Sequence, residues 1–430
     1  MNNERAGVQP LRLARAADHA LPVLLVLLLI ALTTSITAVG VLIALLIVAT
    51  LLRLTDPGLR ARHRAPLALP MLAFAFLTLL SAAGATHRAV AFFESKHLVS
   101  LALFFVAVNG FQSSAQIRRA LGWFFGAVSL VSLYAILQTW ACATSIDLPG
   151  WVAWALRVKL ETCRATVPFR AKGFFSIYMT LGGSLLIALS LLFATLALAP
   201  RRRALGVIPP TALAFVALGL TYVRNAWLGL VTALAVLGLL TRRFALILPV
   251  ALAVLAALTV PSALRPKLLS IFDPSSESAR ERFYFWDAGR RMVKDAPLFG
   301  LGPGGVRMSY PQYKHPDARK PRTGHLHNNL VQIAAERGLL GLAAWLWIWT
   351  TFLLQTGRIY HTLPPTRGDD RALVAGSLAA VGGFLVAGLF EYNFGDSEVI
   401  DLLLVVMAFP FVVAREVAAE VADPLAPNKA

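Results

Sequence analysis

Long apolar runs alternate with short, arginine-containing connectors along most of the chain. A run of about 17–25 apolar residues can cross the hydrocarbon core of a bilayer as a helix. Runs that are apolar on every face cannot all be buried by packing in water. The pattern therefore predicts an all-α polytopic membrane protein with about twelve transmembrane helices. The predicted segments are residues 21–36, 38–53, 66–83, 97–111, 119–140, 172–199, 204–221, 225–241, 243–260, 327–357, 371–390 and 399–414.

The first two segments belong to one apolar run over residues 21–54, which is too long for a single comfortable helix. Its middle carries several polar residues and a glycine, namely Thr33, Thr34, Ser35, Thr37 and Gly40. We favour a tight hairpin at this point. One long tilted helix is the alternative, and it would change the side of the membrane that every later loop faces.

The distribution of arginine among the short connectors predicts the orientation. With the N-terminus inside, the inner connectors are rich in arginine; they are residues 53–65, 112–118, 200–203, 241–243 and 358–371. The short outer connectors carry only Arg224; they are residues 36–38, 222–224 and 391–398. This asymmetry follows the positive-inside rule. It predicts a multi-pass protein of a bacterial inner (cytoplasmic) membrane with both termini in the cytoplasm and its site facing the periplasm.

The orientation divides the chain into five parts. They are a cytoplasmic N-terminal segment (1–20), transmembrane helices one to nine (21–260), a large periplasmic loop with an amphipathic helix (261–326), transmembrane helices ten to twelve (327–414) and a cytoplasmic tail (415–430).

Composition agrees with a membrane protein, because 57% of the residues are hydrophobic and 14% are charged. Soluble domains carry about 25% charged residues. The net charge of +18 would suggest nucleic acid in a soluble protein. In a membrane protein, much of it is explained by Lys and Arg retained in inner connectors. We therefore expect membrane lipids, and no nucleic acid, among the partners.

Two long outer loops hold more positive charge than topology requires. They are residues 141–171 and residues 261–326, and the second contains twelve Lys or Arg against six Asp or Glu. A lipid-linked phosphate at the outer leaflet would explain the excess, and so would adhesion to anionic headgroups. Cys142 and Cys163 both lie in the first loop, where they could form a disulfide in an oxidising compartment or remain thiols.

Several arginines occupy unusual positions. Arg224 begins segment 225–241 within a very short outer connector, where it suits phosphate oxygens or serves as a snorkelling anchor at the interface. Residues 278–294 mix apolar positions with Arg280 and Arg282, which is typical of an amphipathic helix at a membrane surface.

His325 and His327 lie at the outer mouth of segment 327–357. Histidine is the side chain most easily poised as a general base near neutral pH, although a pair of loop histidines can be incidental. Residues two apart do not share a helix face, so we expect at most one of the two to point into a site. Asn328 could cap the helix or orient an imidazole.

Acidic residues gather at the outer ends of the last two segments, namely Glu391, Asp396, Glu398 and Asp401. They could bind sugar hydroxyls or move protons, or they could form an ordinary solvated turn. The glycines of residues 300–305 do not follow the frame of a nucleotide loop and predict a tight turn instead. No Asp-x-Asp pair occurs in an outer loop, so we expect neither a metal nor another cofactor.

Four motifs in this order resemble the O-antigen ligase/polymerase superfamily. They are Arg-x-x-x-Trp (282–286), Pro-Leu-Phe-Gly-Leu-Gly-Pro-Gly (297–304), His-Leu-His-Asn-Asn (325–329) and Glu-Arg-Gly-Leu-Leu-Gly-Leu (336–342). The His-x-His-Asn form and the arginine that begins segment 225–241 look most like the O-antigen ligases, or WaaL proteins. The twelve-helix layout extends the likeness to nearly the whole chain.

The resemblance implies a glycosyltransferase of lipopolysaccharide biosynthesis. Such a ligase moves O-antigen from undecaprenyl diphosphate to a sugar hydroxyl of the lipid A–core oligosaccharide at the periplasmic face, without a metal. A base would activate the hydroxyl, and direct displacement would invert the anomeric carbon. The candidate residues carried over or added are His325 and His327 as catalytic, Arg224, Arg280 and Arg282 as donor diphosphate-binding, and Asn328, Glu391 and Trp286 as sugar-binding or acceptor-orienting.

Three other functions remain open. An O-antigen polymerase or a protein O-oligosaccharyltransferase shares the donor and differs in the acceptor, which no local residue identifies. A polysaccharide or lipid transporter belongs to another class, and it would predict inverted repeats and broken helices with buried charges at mid-membrane depth. The sequence shows no clear repeat, and its ionisable residues gather at the outer interface.

Overall fold

The structure is a computed structural model that describes residues 4–143, 150–155, 163, 169–248 and 277–422. Regular secondary structure in these residues is helical, without strands. The helices are α1 (Glu4–Ala31), α2 (Ile36–Arg53), α3 (Pro57–Ala61), α4 (Ala68–Gly84), α5 (Arg88–Glu94), α6 (Ser100–Gly110), α7 (Ser114–Ala143), α8 (Gly150–Ala155), α9 (Tyr178–Leu198), α10 (Arg201–Gly206), α11 (Ile208–Thr221), α12 (Arg224–Thr241), α13 (Glu277–Asp295), α14 (Gly305–Tyr313), α15 (Asn329–Thr362), α16 (Gly368–Ala387) and α17 (Ser397–Ala422). Three short 3₁₀ helices are formed by Ser95–Val99, Phe244–Ile247 and Asn393–Gly395.

Nine helices in the described part of the chain are long and apolar enough to cross a membrane. They correspond to α1, α2, α5 continued into α6, α7, α9, α12, α15, α16 and α17. Two further predicted segments, 66–83 and 204–221, appear as the shorter apolar helices α4 and α11. Most of segment 243–260 lies outside the described residues. The all-helical, multi-pass class is confirmed, whereas the number twelve stays a prediction.

The apolar run over residues 21–54 forms a helical hairpin, as the polar residues at its middle predict. Helix α1 ends at Ala31, and Ser35 caps α2 by accepting a hydrogen bond from the backbone N–H of Ala38. At the other end of the hairpin, Arg53 Nε lies 2.6 Å from Asp18 Oδ1. Asp18 belongs to the predicted N-terminal segment 1–20, which is helical from Glu4 and continuous with the first span.

Helix α9 lies at the centre of the bundle and packs against α12, α16 and α17. Small residues permit the closest approach, which is between α12 and α16. A Cβ atom at Gly229 would lie 2.7 Å from the carbonyl oxygen of Gly383, and one at Gly383 would lie 2.6 Å from that of Gly229. Close packing of this kind stabilises helix pairs in lipid, where the hydrophobic effect does not drive helices together.

Helix α15 is interrupted at Gly338, whose φ and ψ are 67° and −178°. The segment 297–304 packs against this interruption, and the N–H of Gly302 donates to the carbonyl oxygen of Glu336 at 2.8 Å. Backbone groups released by a broken helix must find other partners when water is excluded. The tight turn predicted at residues 300–305 is present, with positive φ at Gly300, Gly302 and Gly304, and it supplies such partners.

The amphipathic helix predicted over residues 278–294 corresponds to α13. Its buried residues Phe285, Ala288 and Met292 form a small core with α14 and the first turns of α15. Protein covers these three residues, so contact of α13 with a membrane surface, through the rest of the helix, stays a prediction. Phe283 remains 54% exposed on the same helix.

Ion pairs link the helices at one end of the bundle, and a disulfide links the chain at the other end. Near the start of α7, Arg118 and Arg367 both pair with Asp370, at 3.1 Å and 3.3 Å. Part of the arginine charge predicted for the cytoplasm is therefore neutralised within the protein. At the opposite end of α7, Cys142 and Cys163 form a disulfide, which decides between the two alternatives left open by the sequence.

Candidate functional site

His325, His327 and Glu391 meet beside the N-terminus of α15. The Nε2 atom of His325 lies 2.9 Å from Oε1 of Glu391. The Nδ1 atom of His327 lies 3.0 Å from Oε1 and 2.9 Å from Oε2 of the same carboxylate. One carboxylate thus contacts both rings, while of the two histidines only His325 lines a neighbouring cavity.

The local backbone explains this arrangement. Helix α15 begins only at Asn329, so the rule for helix faces does not apply to residues 325–328. In non-helical chain, side chains two residues apart can project to the same side. His327 has a φ of 51°, in the left-handed region that side chains with a Cβ adopt at a cost. Backbone strain of this kind persists where surrounding contacts fix the residue, which is common at functional sites.

Two asparagines join the turn with the histidines to the loop with Glu391. Asn328 caps α15 by accepting a hydrogen bond from the N–H of Val331 at 3.1 Å, and its amide donates to the carbonyl of Leu389 at 2.9 Å. The amide of Asn329 donates to Asn393 Oδ1 at 2.6 Å. Of the two roles considered for Asn328, the structure shows the cap.

Electrostatics keep Glu391 ionised. Burial opposes ionisation of this side chain, but hydrogen bonds and charge from His325 and His327 outweigh it and hold the pKa of the Glu391 carboxyl well below its usual range. An anionic partner favours a proton on the imidazole nitrogen that faces it. The second nitrogen of each ring is thereby left as the candidate acceptor.

The two histidines differ in their surroundings. His327 packs against the ring of Phe285, with centroids 5.5 Å apart, and its side chain is 17% exposed. The side chain of His325 is 36% exposed and lines a cavity. His325 is therefore the histidine that a ligand reaches more readily.

The cavity has a volume of about 450 Å³ and is lined by charged and polar side chains from distant parts of the chain. Its titratable lining residues are Glu94, His97, Arg307, His325, Glu336, Arg337, Glu391, Tyr392, Asp396 and Glu398. A volume of this size with convergent polar groups is typical of a small-molecule or substrate site.

Asp396 has an unusual pKa. Its carboxylate accepts a hydrogen bond from the hydroxyl of Thr180 at 2.6 Å. Burial, assisted by the neighbouring Glu398, raises the pKa of Asp396 to about 7. The four acidic residues singled out in the sequence thus separate in space. Glu391, Asp396 and Glu398 line the cavity, whereas Asp401 is buried in α17 and does not line it.

The sequence analysis did not assign a role to Glu336 and Arg337. They form an ion pair of 3.1 Å inside α15, with side chains 5% and 7% exposed. Two ionisable residues therefore lie within this apolar helix, in addition to those that gather beside its N-terminus. Two charges within an apolar span are a signal for function that could have been used.

None of the arginines predicted to bind a diphosphate lines the cavity, but Asn225, the neighbour of Arg224 in the chain, does. The guanidinium of Arg224 is close enough to those of Arg282 and Arg170 to feel their charge, while Arg280 is exposed. Arg170 also stacks over Tyr178, 4.7 Å from the ring centroid. We call Arg170, Arg224 and Arg282 the basic cluster. Positive charges that act on one another repel, and an anion bound among them relieves this repulsion.

Trp286 lies on α13 and is not among the residues that line the cavity. Its ring contacts those of Phe283 and Phe390, with centroids 5.5 Å and 6.5 Å apart. Its buried Nε1 has no hydrogen-bond partner among the described residues. The structure therefore places Trp286 in packing contacts and leaves its suggested sugar-binding role without a contact to the cavity.

The cluster of His325, His327 and Glu391 also has the composition of a metal site. Within the described ranges, one potential ligand atom from each of the three lies within 4.8 Å of the others. Two imidazoles and a carboxylate are a common ligand set for zinc. The geometry therefore permits a divalent ion as well as the hydrogen-bonded arrangement, and chelation distinguishes the two.

Residues 209–346 match a family model described as O-antigen ligase. The matched range begins in α11 and ends in α15, so it contains Arg224, Arg282 and both histidines, whereas Glu391 lies beyond it. No curated protein matches the chain significantly.

Proposed function

Because the match over residues 209–346 supports membership of the O-antigen ligase superfamily, we propose that the protein transfers O-antigen from undecaprenyl diphosphate to lipid A–core. The membership agrees with the resemblance seen in the sequence motifs. The observation that carries the proposal is the pair of histidines on one buried carboxylate, with His325 and Glu391 lining a cavity that Asn225, the neighbour of Arg224, also lines.

In the proposed reaction, His325 acts as the general base. With the proton on Nε2 held toward Glu391, Nδ1 accepts the proton of an acceptor hydroxyl. The hydroxyl oxygen bonds to the anomeric carbon of the donor sugar while the bond from that carbon to the diphosphate oxygen breaks. General-base assistance of this kind contributes about 10²–10⁴-fold in rate. Direct displacement inverts the anomeric configuration.

The basic cluster is proposed to stabilise the leaving group. The electron pair of the broken bond remains on undecaprenyl diphosphate, so negative charge grows there in the transition state. Fixed guanidinium groups are most effective when they face the position where charge develops. Arg282 is preferred over Arg280 for this role, because Arg282 lies close to Arg224. No metal is needed in this scheme, since a diphosphate is already an activated leaving group.

The site is proposed to face the periplasm of a bacterial inner membrane. The disulfide between Cys142 and Cys163 supports this orientation, because disulfides persist in oxidising compartments. The arginine-rich connectors at the other end of the bundle support it as well.

The identity of the acceptor is tested by supplying the purified protein in nanodiscs with undecaprenyl-diphosphate glycan and one candidate acceptor at a time. The acceptors are lipid A–core, a second molecule of the donor, and a serine-containing peptide. Glycan on lipid A–core is the expected result. A lengthened donor would identify a polymerase, a modified peptide would identify a protein O-oligosaccharyltransferase, and no product with any acceptor would remove the enzymatic proposal in favour of transport.

A further inference from the structure

Arg337 and Glu336 are buried charged residues within the apolar helix α15. Arg337 is eight positions into α15 from Asn329, which corresponds to about 12 Å along a helix. Both side chains are more than nine-tenths buried. Charges within a membrane-spanning helix are costly and are mostly retained for function, with a partner that offsets the cost.

Glu336 has a structural explanation. Its Oε1 accepts a hydrogen bond from the N–H of Gly304 at 2.9 Å, and its Oε2 pairs with Arg337. Its backbone carbonyl accepts from the hydroxyl of Ser81 at 2.8 Å. Glu336 therefore holds the segment 297–304 against the interruption in α15.

Arg337 is not fully explained by this contact. One of its nitrogens pairs with Glu336, and its guanidinium also lies within hydrogen-bonding reach of Tyr392. Its buried Nε has no hydrogen-bond acceptor among the residues that the structure describes. A buried donor without an acceptor costs about 1–3 kcal/mol, so contacts within the protein leave Arg337 incompletely satisfied, and the part of its side chain that lines the cavity can donate to a ligand.

The position of Arg337 relates this donor to the reaction. Arg337 lines the same cavity as His325. Together with Glu94 and His97 it also lines a second, smaller cavity, to which Asn225 does not contribute. We call Glu94, His97 and Arg337 the inner end of the cavity. Asn225, which follows Arg224 in the chain, lines the larger cavity and not the smaller one.

The charge at the inner end does not favour phosphate. Glu94 and Glu336 together offset the charge of Arg337, and Glu94 lies 3.6 Å from His97. Phosphate recognition usually relies on an excess of positive charge, which the basic cluster supplies and the inner end does not. Alternating donors and acceptors with little net charge suit the hydroxyls of a neutral sugar.

We infer that the inner end of the cavity binds the acceptor saccharide and that Arg337 donates a hydrogen bond to one of its oxygens. This inference rests on the proposed transfer reaction. In a direct displacement the acceptor approaches the anomeric carbon from the side opposite the leaving diphosphate. A diphosphate at the basic cluster and an acceptor at the inner end would satisfy this requirement, with His325 between them.

The test compares Glu336→Gln with the double variant Glu336→Gln/Arg337→Gln, both as full chains in nanodiscs. The glutamine at 336 can still accept from Gly304, and the double variant removes Arg337 without leaving an unpaired buried charge. We expect the double variant to raise KM for lipid A–core about ten-fold or more relative to the single variant. KM for the donor should be equal in the two, and the double variant should melt no lower than the single variant, in which Arg337 is left without its ionised partner.

Three results would overturn the inference: an unchanged acceptor KM in the double variant, an equal rise in donor KM, or a rise in acceptor KM that only accompanies a lower melting temperature. Arg337→Lys is the companion variant, since it preserves the charge beside Glu336 but loses the planar fork. It should also raise acceptor KM at an unchanged melting temperature, and an unchanged KM would count against the inference. Failure of the unaltered protein to transfer glycan would instead remove the proposed function.

Discussion

A buried carboxylate between two imidazoles acts on both rings at once. Because Glu391 remains ionised, it favours a proton on Nε2 of His325 and on Nδ1 of His327, the two atoms that face it. The opposite nitrogen of His325 is then available to accept a proton in the cavity. His327 is more enclosed, with contacts to Glu391 and to the ring of Phe285.

Arg282 and Arg280 offer a matched pair for the donor site. Both arginines lie on α13, two residues apart, but only Arg282 is close enough for its charge to act on the guanidinium of Arg224. We expect Arg282→Ala to lower donor affinity roughly 10–100-fold, the cost of about 1.5–3 kcal/mol for a lost charge-assisted hydrogen bond. Arg280→Ala should change it less than about two-fold. Binding of radiolabelled undecaprenyl-diphosphate glycan measures both, and equal losses would refute the assignment.

Asp396 makes stability depend on pH in a defined direction. Its pKa rises from 3.8 to about 7 on folding, so the folded protein binds more protons than the unfolded chain between these values. The stabilisation is complete below pH 3.8 and is lost as pH rises through about 7. Asp396→Asn should therefore melt at a higher temperature than the unaltered protein at pH 8, with the difference shrinking toward pH 4. Asp317→Asn, which removes an exposed carboxylate, is the control. A difference in melting temperature between Asp396→Asn and the unaltered protein that stays the same from pH 4 to pH 8 would contradict the prediction.

The types of residue at the site were predictable, but their arrangement was not. Histidine, arginine and acidic residues stand out in an apolar sequence, so His325, Arg224 and Glu391 could be selected from the pattern. The sharing of Glu391 by both histidines depends on the left-handed backbone at His327, which no local pattern signals. Arg170 was visible only as part of a basic loop.

Helix α15 and the segment 297–304 form one structural element. The interruption at Gly338 and the turn before α14 fit each other, since each supplies backbone partners that the other lacks. The pairing brings Glu336 and Arg337 to the cavity and fixes the start of α14. Broken helices occur at membrane depth where they are buried in protein or line a cavity, and both conditions are met.

Gly338→Ala tests this element. The backbone at Gly338, with φ 67° and ψ −178°, lies in a region that is essentially restricted to glycine, and a Cβ atom there would collide with the carbonyl of Leu298. We expect destabilisation by about 1–3 kcal/mol or more together with loss of glycan transfer. Gly357→Ala on the same helix is the control, because a Cβ atom there meets nothing within 4 Å. Thermal unfolding in detergent measures both, and similar melting temperatures would contradict the account.

Elements were predictable where a long apolar run dictated them. The hairpin at residues 32–35 and helix α13 follow from polar interruptions and from amphipathic spacing, respectively. The surface on which α13 rests was not predictable, because its apolar face packs on α14 and α15, which are separated from it in sequence by glycine-rich chain. The interruption in α15 was not predicted, since a single glycine within a helical pattern is usually tolerated.

The whole molecule is an asymmetric bundle with a cross-linked end and an arginine-rich end. Hydropathy predicted most of its spans, because length and apolarity decide whether a helix can cross a bilayer. It could not fix their number, since α4 and α11 are apolar but short, at 17 and 14 residues. A helix of 14 residues, such as α11, crosses only where the bilayer thins or where neighbours shield its ends.

The predicted orientation is tested by labelling single cysteines in intact spheroplasts, with Cys142→Ser and Cys163→Ser as the background. Arg322→Cys lies before the cavity-forming turn and Arg202→Cys lies in an arginine-rich connector, and both positions are exposed. We expect a membrane-impermeant maleimide to label position 322 and to reach position 202 only after lysis. The reverse pattern would place the site in the cytoplasm and would exclude a periplasmic acceptor.

The most direct measurement of the central claim is the initial rate of glycan transfer to lipid A–core by purified unaltered protein and by His325→Ala, each with and without EDTA. We expect the unaltered protein to keep its rate in EDTA, and His325→Ala to lose about 10²–10⁴-fold while still binding the donor. A full rate for His325→Ala would contradict the base assignment. Loss of the unaltered rate in EDTA, restored by zinc, would show that His325, His327 and Glu391 hold a metal instead.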